Sequence, residues 1–341
     1  MNVDLIKQMI AEKYVSMQKH PDADLFILNY TQKTQFEWNW NEATLMCRGL
    51  IVDGDWNIIA RPFPKFFNLE ELQREEHWQI PNEPFEVYEK LDGSLGILYW
   101  LDGEPFIATR GSFTSEQAIE GTKMFREREA DWFLLRKYTY LFEIIYPQNR
   151  IVIDYGNERL LHLLAVIDPE TGNDVDVVNP HTIPFPMAKR YDGIKDITKL
   201  RDLDGANREG FVVRFQSGLR IKLKYEEYKR LHRLITHMNP RHIWEHLREH
   251  GDVKQLIENV PDEFYTWVRD IEAGLRHDYD VVDCECKQDF KDYGNRKTNA
   301  LYYQKCSFPS ILFKMLDGKD YADLIWKQIK PKADAVFKAE I

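Results

Sequence analysis

The feature that most constrains the fold is a change of hydrophobic periodicity along the chain. Between about residues 25 and 225, short β-prone runs recur between Gly, Asp, Asn and Pro residues, which is typical of strands joined by turns. After about residue 228, apolar residues repeat at helical spacing. The sequence therefore predicts an α+β domain of mostly antiparallel sheets with flanking helices over 1–230, followed by an all-helical C-terminal domain over 231–341.

Several runs in the first region have the length and composition of strands. They cover residues 25–30, 49–53, 57–63, 85–90, 94–100, 105–110, 140–146, 160–168, 210–215 and 219–224. Two helices are also predicted in this region, over residues 2–19 and 115–136, with Ser115 as the N-cap of the second.

The charge balance limits the kinds of nucleic-acid binding that this chain can have. Acidic residues outnumber basic ones, 56 to 46, for a net charge of −10. This balance argues against general binding of a phosphate backbone, so a nucleic-acid role requires a local basic patch. The segment from Arg220 to Arg241 is a candidate, because seven basic residues oppose two acidic ones there.

Cysteine usage and hydropathy bear on location. The four cysteines form no Cys-x-x-Cys pair, so reduced thiols in a cytosolic compartment are expected. The N-terminus lacks the features of a signal peptide, and no apolar stretch approaches the ~20 residues that span a bilayer. We therefore expect a cytoplasmic protein (in the host cytoplasm if it is viral) with no membrane partner, and its oligomeric state stays open.

The most informative motif is Lys90-Leu91-Asp92-Gly93, followed by Ser94. Asp-Gly between two apolar strands is on its own a hairpin signal. Leu-Asp-Gly occurs four times, but only the copy at residues 91–93 has Lys directly before it and Ser directly after it. A Lys amine attacks the α-phosphorus of ATP only when it is neutral, so burial or a nearby divalent cation must lower its pKa. Asp92 is placed to orient metal-bound water near this amine, and Gly93 lets the backbone approach a sugar or phosphate.

Further charged residues follow in order along the chain. Glu143 lies inside an apolar strand and is a candidate for binding ribose hydroxyls, although it could also point outward. Glu209 precedes another strand and could complete a metal-water site, although Glu-Gly alone indicates a turn. Lys222 and Lys224 share one strand face, which suits a triphosphate but also suits a solvated sheet edge.

Together these residues resemble the covalent nucleotidyltransferase superfamily of DNA ligases, RNA ligases and capping enzymes. The segments Lys90–Gly93, Phe142–Glu143, Glu209–Val212 and Lys222–Lys224 are similar to its motifs I, III, IV and V. The closer resemblance is to the phage-type, ATP-dependent RNA ligase 1 family. It rests on an arginine segment, a lysine-aromatic segment, a segment with Arg in place of the family's Lys, and a tyrosine: Cys47–Ile51, Lys65–Asn68, Arg110–Phe113 and Tyr228.

This resemblance implies a fold and a reaction. The fold is a nucleotidyltransferase (ATP-grasp-like ligase) domain, and the helical domain concerns the choice of RNA. Lys90 would form lysyl-AMP from ATP, AMP would then move to an RNA 5′-phosphate, and a 3′-hydroxyl would displace AMP and seal the strand. The implied use is RNA or tRNA repair. The implied catalytic residues are Lys90, Asp92, Glu143, Glu209, Lys222 and Lys224. The implied nucleotide-binding residues are Tyr30, Arg48, Lys65, Phe67, Lys90, Gly93, Arg110, Glu143, Lys222 and Lys224. Asp92 and Glu209 would hold Mg²⁺ or Mn²⁺ through water.

Two alternatives stay open. A DNA ligase or capping enzyme normally has an OB-fold after motif V, and the helical periodicity after Lys224 disfavours it. A non-catalytic RNA-binding protein on the same fold would be expected to lack Lys90 or a carboxylate, and none is missing.

Overall fold

The polypeptide falls into two units, Met1–Lys229 and Arg230–Ile341. In the computed structural model, the described residues are 1–73, 79–128, 134–176, 183–201, 207–257 and 262–332.

Strands occupy the first unit. In chain order they are β1 (Val15–Lys19), β2 (Leu25–Tyr30), β3 (Arg48–Asp53), β4 (Ile58–Ala60), β5 (Phe67–Asn68), β6 (Phe85–Lys90), β7 (Ser94–Leu101), β8 (Glu104–Ala108), β9 (Thr139–Ile145), β10 (Leu160–Ile167), β11 (Arg190–Tyr191), β12 (Gly210–Phe215) and β13 (Arg220–Lys224).

Helices flank the strands and make up the second unit. They are α1 (Val3–Ala11), α2 (Gln32–Phe36), α3 (Glu42–Met46), α4 (Leu69–Leu72), α5 (Glu116–Glu127), α6 (Glu226–His237), α7 (Pro240–His250), α8 (Asp262–Asp289), α9 (Arg296–Tyr303), α10 (Pro309–Leu316) and α11 (Ala322–Gln328). The predicted class, an α+β fold with antiparallel sheets and C-terminal helices, is confirmed at this level. Within the described ranges, no helix has the length and hydropathy needed to cross a membrane.

The strands form three sheets. The first sheet has the order β1-β2-β3-β4, the second β10-β9-β7-β8, and the third β11-β6-β12-β13-β5. Neighbouring strands are antiparallel except for β13 and β5, which pair in parallel. The chain passes from the third sheet to the second between β6 and β7, which is the position of the Lys-x-Asp-Gly motif.

Alternation along the strands creates separate cores on the two faces of the first and second sheets. Ile27 and Ile51 of the first sheet pack against Ile97 of the second, while Leu28 and neighbouring residues on the opposite face pack against α1 and α3. Helix α5 covers the other face of the second sheet through buried Phe125. The third sheet has its own core with α4. The second unit packs around a separate cluster on α8–α11.

Two helix predictions in the first unit were too long. The helix predicted over 2–19 ends at Ala11, and Lys13 adopts a left-handed φ of 65°. The rest of that segment is strand β1, because pairing with β2 overrides the local periodicity. Helix α5 starts as predicted, with the Ser115 hydroxyl accepting from the Ala118 N–H at 3.2 Å, but it ends at Glu127. Of the remainder of that prediction, residues 129–133 lie outside the described residues.

Candidate active site

Strand register brings the charged motif residues together at one end of the third sheet. Gly210 lies between two partners, opposite Lys90 of β6 and opposite Lys224 of β13. Its φ is 145°, and a Cβ there would lie 2.0 Å from the Leu223 carbonyl oxygen. Only glycine fits this position, and Glu209 directly before it is thereby aimed between the two lysines.

Glu209 forms a bridge between these lysines. Its Oε2 accepts from Lys90 Nζ at 2.7 Å, and its Oε1 lies 2.7 Å from Lys224 Nζ. The Glu209 side chain is 2% exposed and each lysine side chain 21% exposed. Burial raises the pKa of Glu209, but the two ammonium groups outweigh it and hold this pKa below its ordinary value.

The pKa of Lys90 is shifted in the direction opposite to the one predicted from the sequence. Burial lowers the pKa of its amine, but the attraction of Glu209, Glu143 and Asp92 is larger, so the pKa is raised above its ordinary value. Burial alone therefore does not produce the neutral amine that the sequence predicted. The ion pair with Glu209 holds Lys90 as an ammonium, and this attraction must be weakened before the amine can act as a nucleophile.

Asp92 anchors the turn between the two sheets. It is 4% exposed, and its Oδ2 accepts from the N–H groups of Val152 and Ile153 at 2.9 and 3.0 Å. The Tyr228 hydroxyl donates to its Oδ1 at 2.8 Å, and its own N–H donates to the Tyr155 hydroxyl at 2.8 Å. Both carboxylate oxygens are engaged, so the predicted contact of Asp92 with metal-bound water requires one of these bonds to open or to be shared.

Glu143 points at the same turn rather than outward. Its Oε1 accepts from the Gly93 N–H at 2.9 Å. A Cβ on Gly93 would lie 2.5 Å from the Ile144 carbonyl oxygen, so the close approach requires glycine. Burial raises the pKa of Glu143 to about 7, with Glu209 and Asp92 adding to the rise and Lys90 opposing it. The positive charge around this carboxylate is too small to offset its burial. A bound cation would supply such charge and lower the pKa of Glu143.

The carboxylates fit a metal that is held mostly by its substrate. Across the described ranges, no three His, Cys, Asp or Glu side chains gather in a metal-ligating arrangement. Mg²⁺ commonly keeps several waters and takes one or two carboxylates together with substrate phosphates. The pair of Glu209 and Glu143 beside Lys90 is compatible with such a site. The described ranges contain no set of side chains that would hold a metal without help from the substrate.

Four further cations lie near this turn and form what we call the cation cluster, defined as Arg48, Lys65, Arg110 and Lys222. Burial, together with the positive charges of Lys65, Lys90, Arg48 and Lys224, lowers the pKa of Lys222 to about 7. The Arg48 guanidinium has a buried nitrogen without a hydrogen-bond partner. Within the described residues, none of the four forms an ion pair with a carboxylate, in contrast to Lys90 and Lys224. Such uncompensated positive charge suits a polyanion.

The basic segment predicted from Arg220 to Arg241 is largely neutralised. Arg220 pairs with Asp174, and Lys229 pairs with Glu70 at 3.0 Å. Lys224 is bound to Glu209 as described. Lys222 of this segment belongs to the cation cluster, whose other members come from distant parts of the sequence.

Aromatic rings surround Lys65. Its Nζ lies 5.0 Å from the Phe67 ring centroid, 5.2 Å from that of Trp40 and 5.4 Å from that of Tyr30. The Arg110 guanidinium donates to the Tyr30 hydroxyl at 3.1 Å. The structure thus places the predicted residues Tyr30, Phe67 and Arg110 beside one another and close to Lys65.

Sequence reasoning missed several contributors. Trp40 and Tyr155 carry no motif, and the N–H groups of Val152 and Ile153 cannot be recognised from side-chain identity. The only available signal was the high aromatic content of the chain, 13%, which does not single out positions.

Comparison with known proteins identifies the family. A model of the RNA ligase family matches residues 46–229, more than half of the chain and all of the predicted site except Tyr30. The chain belongs to this family, the phage-type, ATP-dependent RNA ligases. The resemblance noted from the motifs is confirmed.

Individual relatives are distant. A protein of Autographa californica nuclear polyhedrosis virus, provisionally named a bifunctional polynucleotide kinase/RNA ligase, is 27% identical over 67% of this chain and 36% of its own length. The chain thus spans about a third of that relative. An RNA ligase of Rhodothermus phage RM378 is 26% identical over 87% of this chain and 86% of its own. A solved archaeal ATP-dependent RNA ligase has a TM-score of 0.44 at 16% identity, covering 79% of this chain and 75% of its own.

Proposed function

We propose that this chain is an ATP-dependent RNA ligase that carries AMP on Lys90 and joins 5′-phosphate to 3′-hydroxyl RNA ends. The observation that carries the proposal is a buried lysine held by Glu209 beside cations that have no carboxylate partner. A purely structural role would need only the ion pair of Lys90 with Glu209. The cations without a carboxylate partner would in addition bind a triphosphate placed against the amine.

In the first step, Lys90 acts as the nucleophile. Its neutral amine attacks the α-phosphorus of ATP, an N–P bond forms, and the bond to pyrophosphate breaks. Mg²⁺ or Mn²⁺ supplies charge neutralisation when bound with the phosphates. Lys222, Lys224 and the other cations of the cluster bind the departing pyrophosphate, because phosphoryl transfer depends mainly on positioning and charge.

Two residues beside the amine and the cation cluster are assigned to the nucleoside. Glu143, fixed by the Gly93 N–H, accepts from a ribose hydroxyl, and Phe67 contributes an aromatic face near the nucleotide. Asp92 fixes the turn that carries Lys90, and with Glu209 it orients metal-bound water once its bonds are shared. These roles agree with the family resemblance and with the contacts of the described residues.

The remaining steps use RNA. AMP moves from Lys90 to a 5′-phosphate, the lysine nitrogen being the leaving group, and the 3′-hydroxyl of a second end then displaces AMP as the phosphodiester forms. We place this activity in RNA repair, tRNA repair included, in the cytoplasm. The first unit would carry adenylylation, and the second would contribute to the choice of RNA.

The test is covalent labelling. The protein is incubated with α-labelled ATP or GTP and run on a denaturing gel. We expect a labelled band with ATP that disappears in Lys90→Ala and persists in Lys229→Ala, a matched change of an ion-paired lysine in the same unit. Label that survives in Lys90→Ala would refute the assignment, and label from GTP alone would indicate a capping-type enzyme.

A second assay separates the polymer substrates. The labelled protein is offered 5′-phosphorylated single-stranded RNA or nicked duplex DNA. Sealing of RNA is expected. Sealing of DNA alone would favour a DNA ligase, and the absence of any covalent AMP would favour a non-catalytic RNA-binding protein.

A further inference from the structure

A three-ring aromatic cluster borders the cation cluster on its outer side. It consists of Trp38, Trp40 and Phe67. The Trp38 and Phe67 ring centroids lie 5.2 Å apart, as do those of Trp40 and Phe67, and the two tryptophans lie 6.2 Å apart at 88°. Edge contacts of this kind stabilise the rings against each other. Trp38 is nevertheless 40% exposed, so one large aromatic surface remains open to a ligand.

The backbone at Trp38 is held in an uncommon conformation. Trp38 has a φ of 54°, a conformation that is uncommon outside glycine and costs free energy. The surrounding bonds hold it there. The Trp40 N–H donates to the Trp38 carbonyl at 3.0 Å, the Asn39 N–H donates to Thr34 at 3.0 Å, and the Thr44 hydroxyl donates to the Asn39 carbonyl at 2.9 Å. A residue selected only for the turn would be glycine or asparagine.

The electrostatic setting of the rings matches a nucleic acid. Lys65 Nζ lies near both Trp40 and Phe67. Burial lowers the pKa of Lys65, and Arg48 and Arg110 lower it too, against the opposing attraction of Tyr30 and Glu71. Exposed aromatic surface beside cations without carboxylate partners is the combination used for single-stranded nucleic acid, in which bases stack and phosphates are neutralised.

The cations beside the rings can serve the RNA strand as well as the nucleotide on Lys90. Lys222 interacts electrostatically with Lys90 and Lys224 as well as with Lys65 and Arg48. The aromatic cluster contacts Lys65 and thus adjoins the part of the cation cluster that would bind pyrophosphate. Once pyrophosphate leaves, the same cations are available to an incoming 5′-phosphate.

We propose that Trp38 stacks on the terminal base of the 5′-phosphorylated RNA strand and so acts as a binding residue for the end to be joined. The inference rests on the proposed function, because it assigns a substrate contact within the same site. It predicts a stacking contact that tolerates any base, since every base has an aromatic face.

The experiment compares Trp38→Gly with Phe36→Ala in the full chain. Glycine suits the backbone of residue 38, so this change removes the ring without adding strain, and Trp38→Phe retains an aromatic ring. Phe36 lies two residues away and is 92% exposed, which makes it a matched aromatic control. The probe is a 5′-phosphorylated single-stranded oligoribonucleotide, with or without a base on its 5′-terminal nucleotide.

We expect Trp38→Gly to raise the KM for the oligonucleotide by roughly tenfold, as for the loss of one stacked base. Trp38→Phe should recover most of the affinity, and Phe36→Ala should resemble the parent. Removing the terminal base should weaken the parent but have little further effect on Trp38→Gly, because the two changes remove the same contact. Equal KM values for Trp38→Gly and Phe36→Ala, or an additive loss with the abasic end, would overturn the inference.

Adenylylation of Lys90 by labelled ATP is measured on the same proteins. If the parent forms no covalent AMP, the proposed function fails. If the parent is labelled and Trp38→Gly loses labelling as strongly as it loses sealing, the ring serves ATP binding or folding and only the stacking inference fails.

Discussion

Replacing Glu209 by Gln removes one charge from a buried site where two ammonium groups depend on it. Glu209 is 2% exposed and lies 2.7 Å from both Lys90 and Lys224. Gln is nearly isosteric, so packing is kept, but the two like charges lose the carboxylate that bridges them. Breaking a buried pair in this way costs about 3–5 kcal/mol.

The exposure of the two lysines decides where in this range the expected cost lies. Their side chains are each 21% exposed, so water partly replaces the lost partner. We therefore expect a loss of about 3 kcal/mol in the free energy of unfolding of the first unit. For a unit of this size, such a loss lowers Tm by roughly 6–12 °C.

The loss should depend on pH in a defined window. The folded-state pKa of Glu209 lies below its ordinary 4.5, so its contribution is present above about pH 4.5 and disappears as the pH falls through the folded value. The folded-state pKa of Lys90 lies above its ordinary 10.5, so its contribution is complete below about pH 10.5 and disappears at higher pH. The part of the stability difference that comes from this bridge should shrink below about pH 4.5 and above about pH 10.5.

The assay is urea and thermal unfolding of the full chain, with Glu86→Gln as a matched control. Glu86 also bridges two cations of the third sheet, Arg190 and Arg214, but it is 34% exposed. Its removal should cost at most about 1 kcal/mol. If Glu209→Gln is no more destabilising than Glu86→Gln, or if its effect grows as the pH falls below about 4.5, the buried-bridge interpretation is refuted.

Three other changes test separate parts of the site. Gly210→Ala places a Cβ 2.0 Å from the Leu223 carbonyl oxygen. Because this clash is with the backbone, unfolding experiments should show that the free energy of unfolding falls by several kcal/mol. Tyr228→Phe removes the hydroxyl that donates to Asp92, and denaturant unfolding should show a loss of about 1–3 kcal/mol. Glu143 has a folded pKa of about 7 against an ordinary 4.5, so folding loses stability as pH rises through this interval. Glu143→Gln should therefore gain up to about 3 kcal/mol on the parent between pH 5 and pH 8, and equal stabilities at both pH values would contradict this.

The strands of the first unit were predictable because each carries its own evidence. The run at 94–100 alternates faces between two cores and is bounded by Gly93 and the turn after Leu101, and it forms β7. The N-terminal helix was less predictable. Its apolar spacing continues past Ala11, and only the pairing of Val15 with Tyr30 of β2 shows that the segment becomes a strand.

The residue types of the site were also predictable, but their charge state was not. A motif identifies Lys90, and no motif states that Glu209, 119 residues later in the chain, lies 2.7 Å away. The sign of the pKa shift depends on the difference between burial and this attraction. Trp38 was not predicted for a related reason, since no motif states the exposure or the φ of a residue in the loop between α2 and α3.

The ion pair also explains how the nucleophile can be controlled. While Glu209 holds Lys90 as an ammonium, the amine is inert toward electrophiles, because only the neutral form attacks. Any positive charge placed near Glu209 weakens the pair and lowers the pKa of Lys90. The groups that would bring such charge, a divalent cation with its triphosphate, are also the groups that present the α-phosphorus. Activation of the amine and arrival of its substrate would thus be one event, and the uncompensated charge of Glu143 beside the turn favours the same cation.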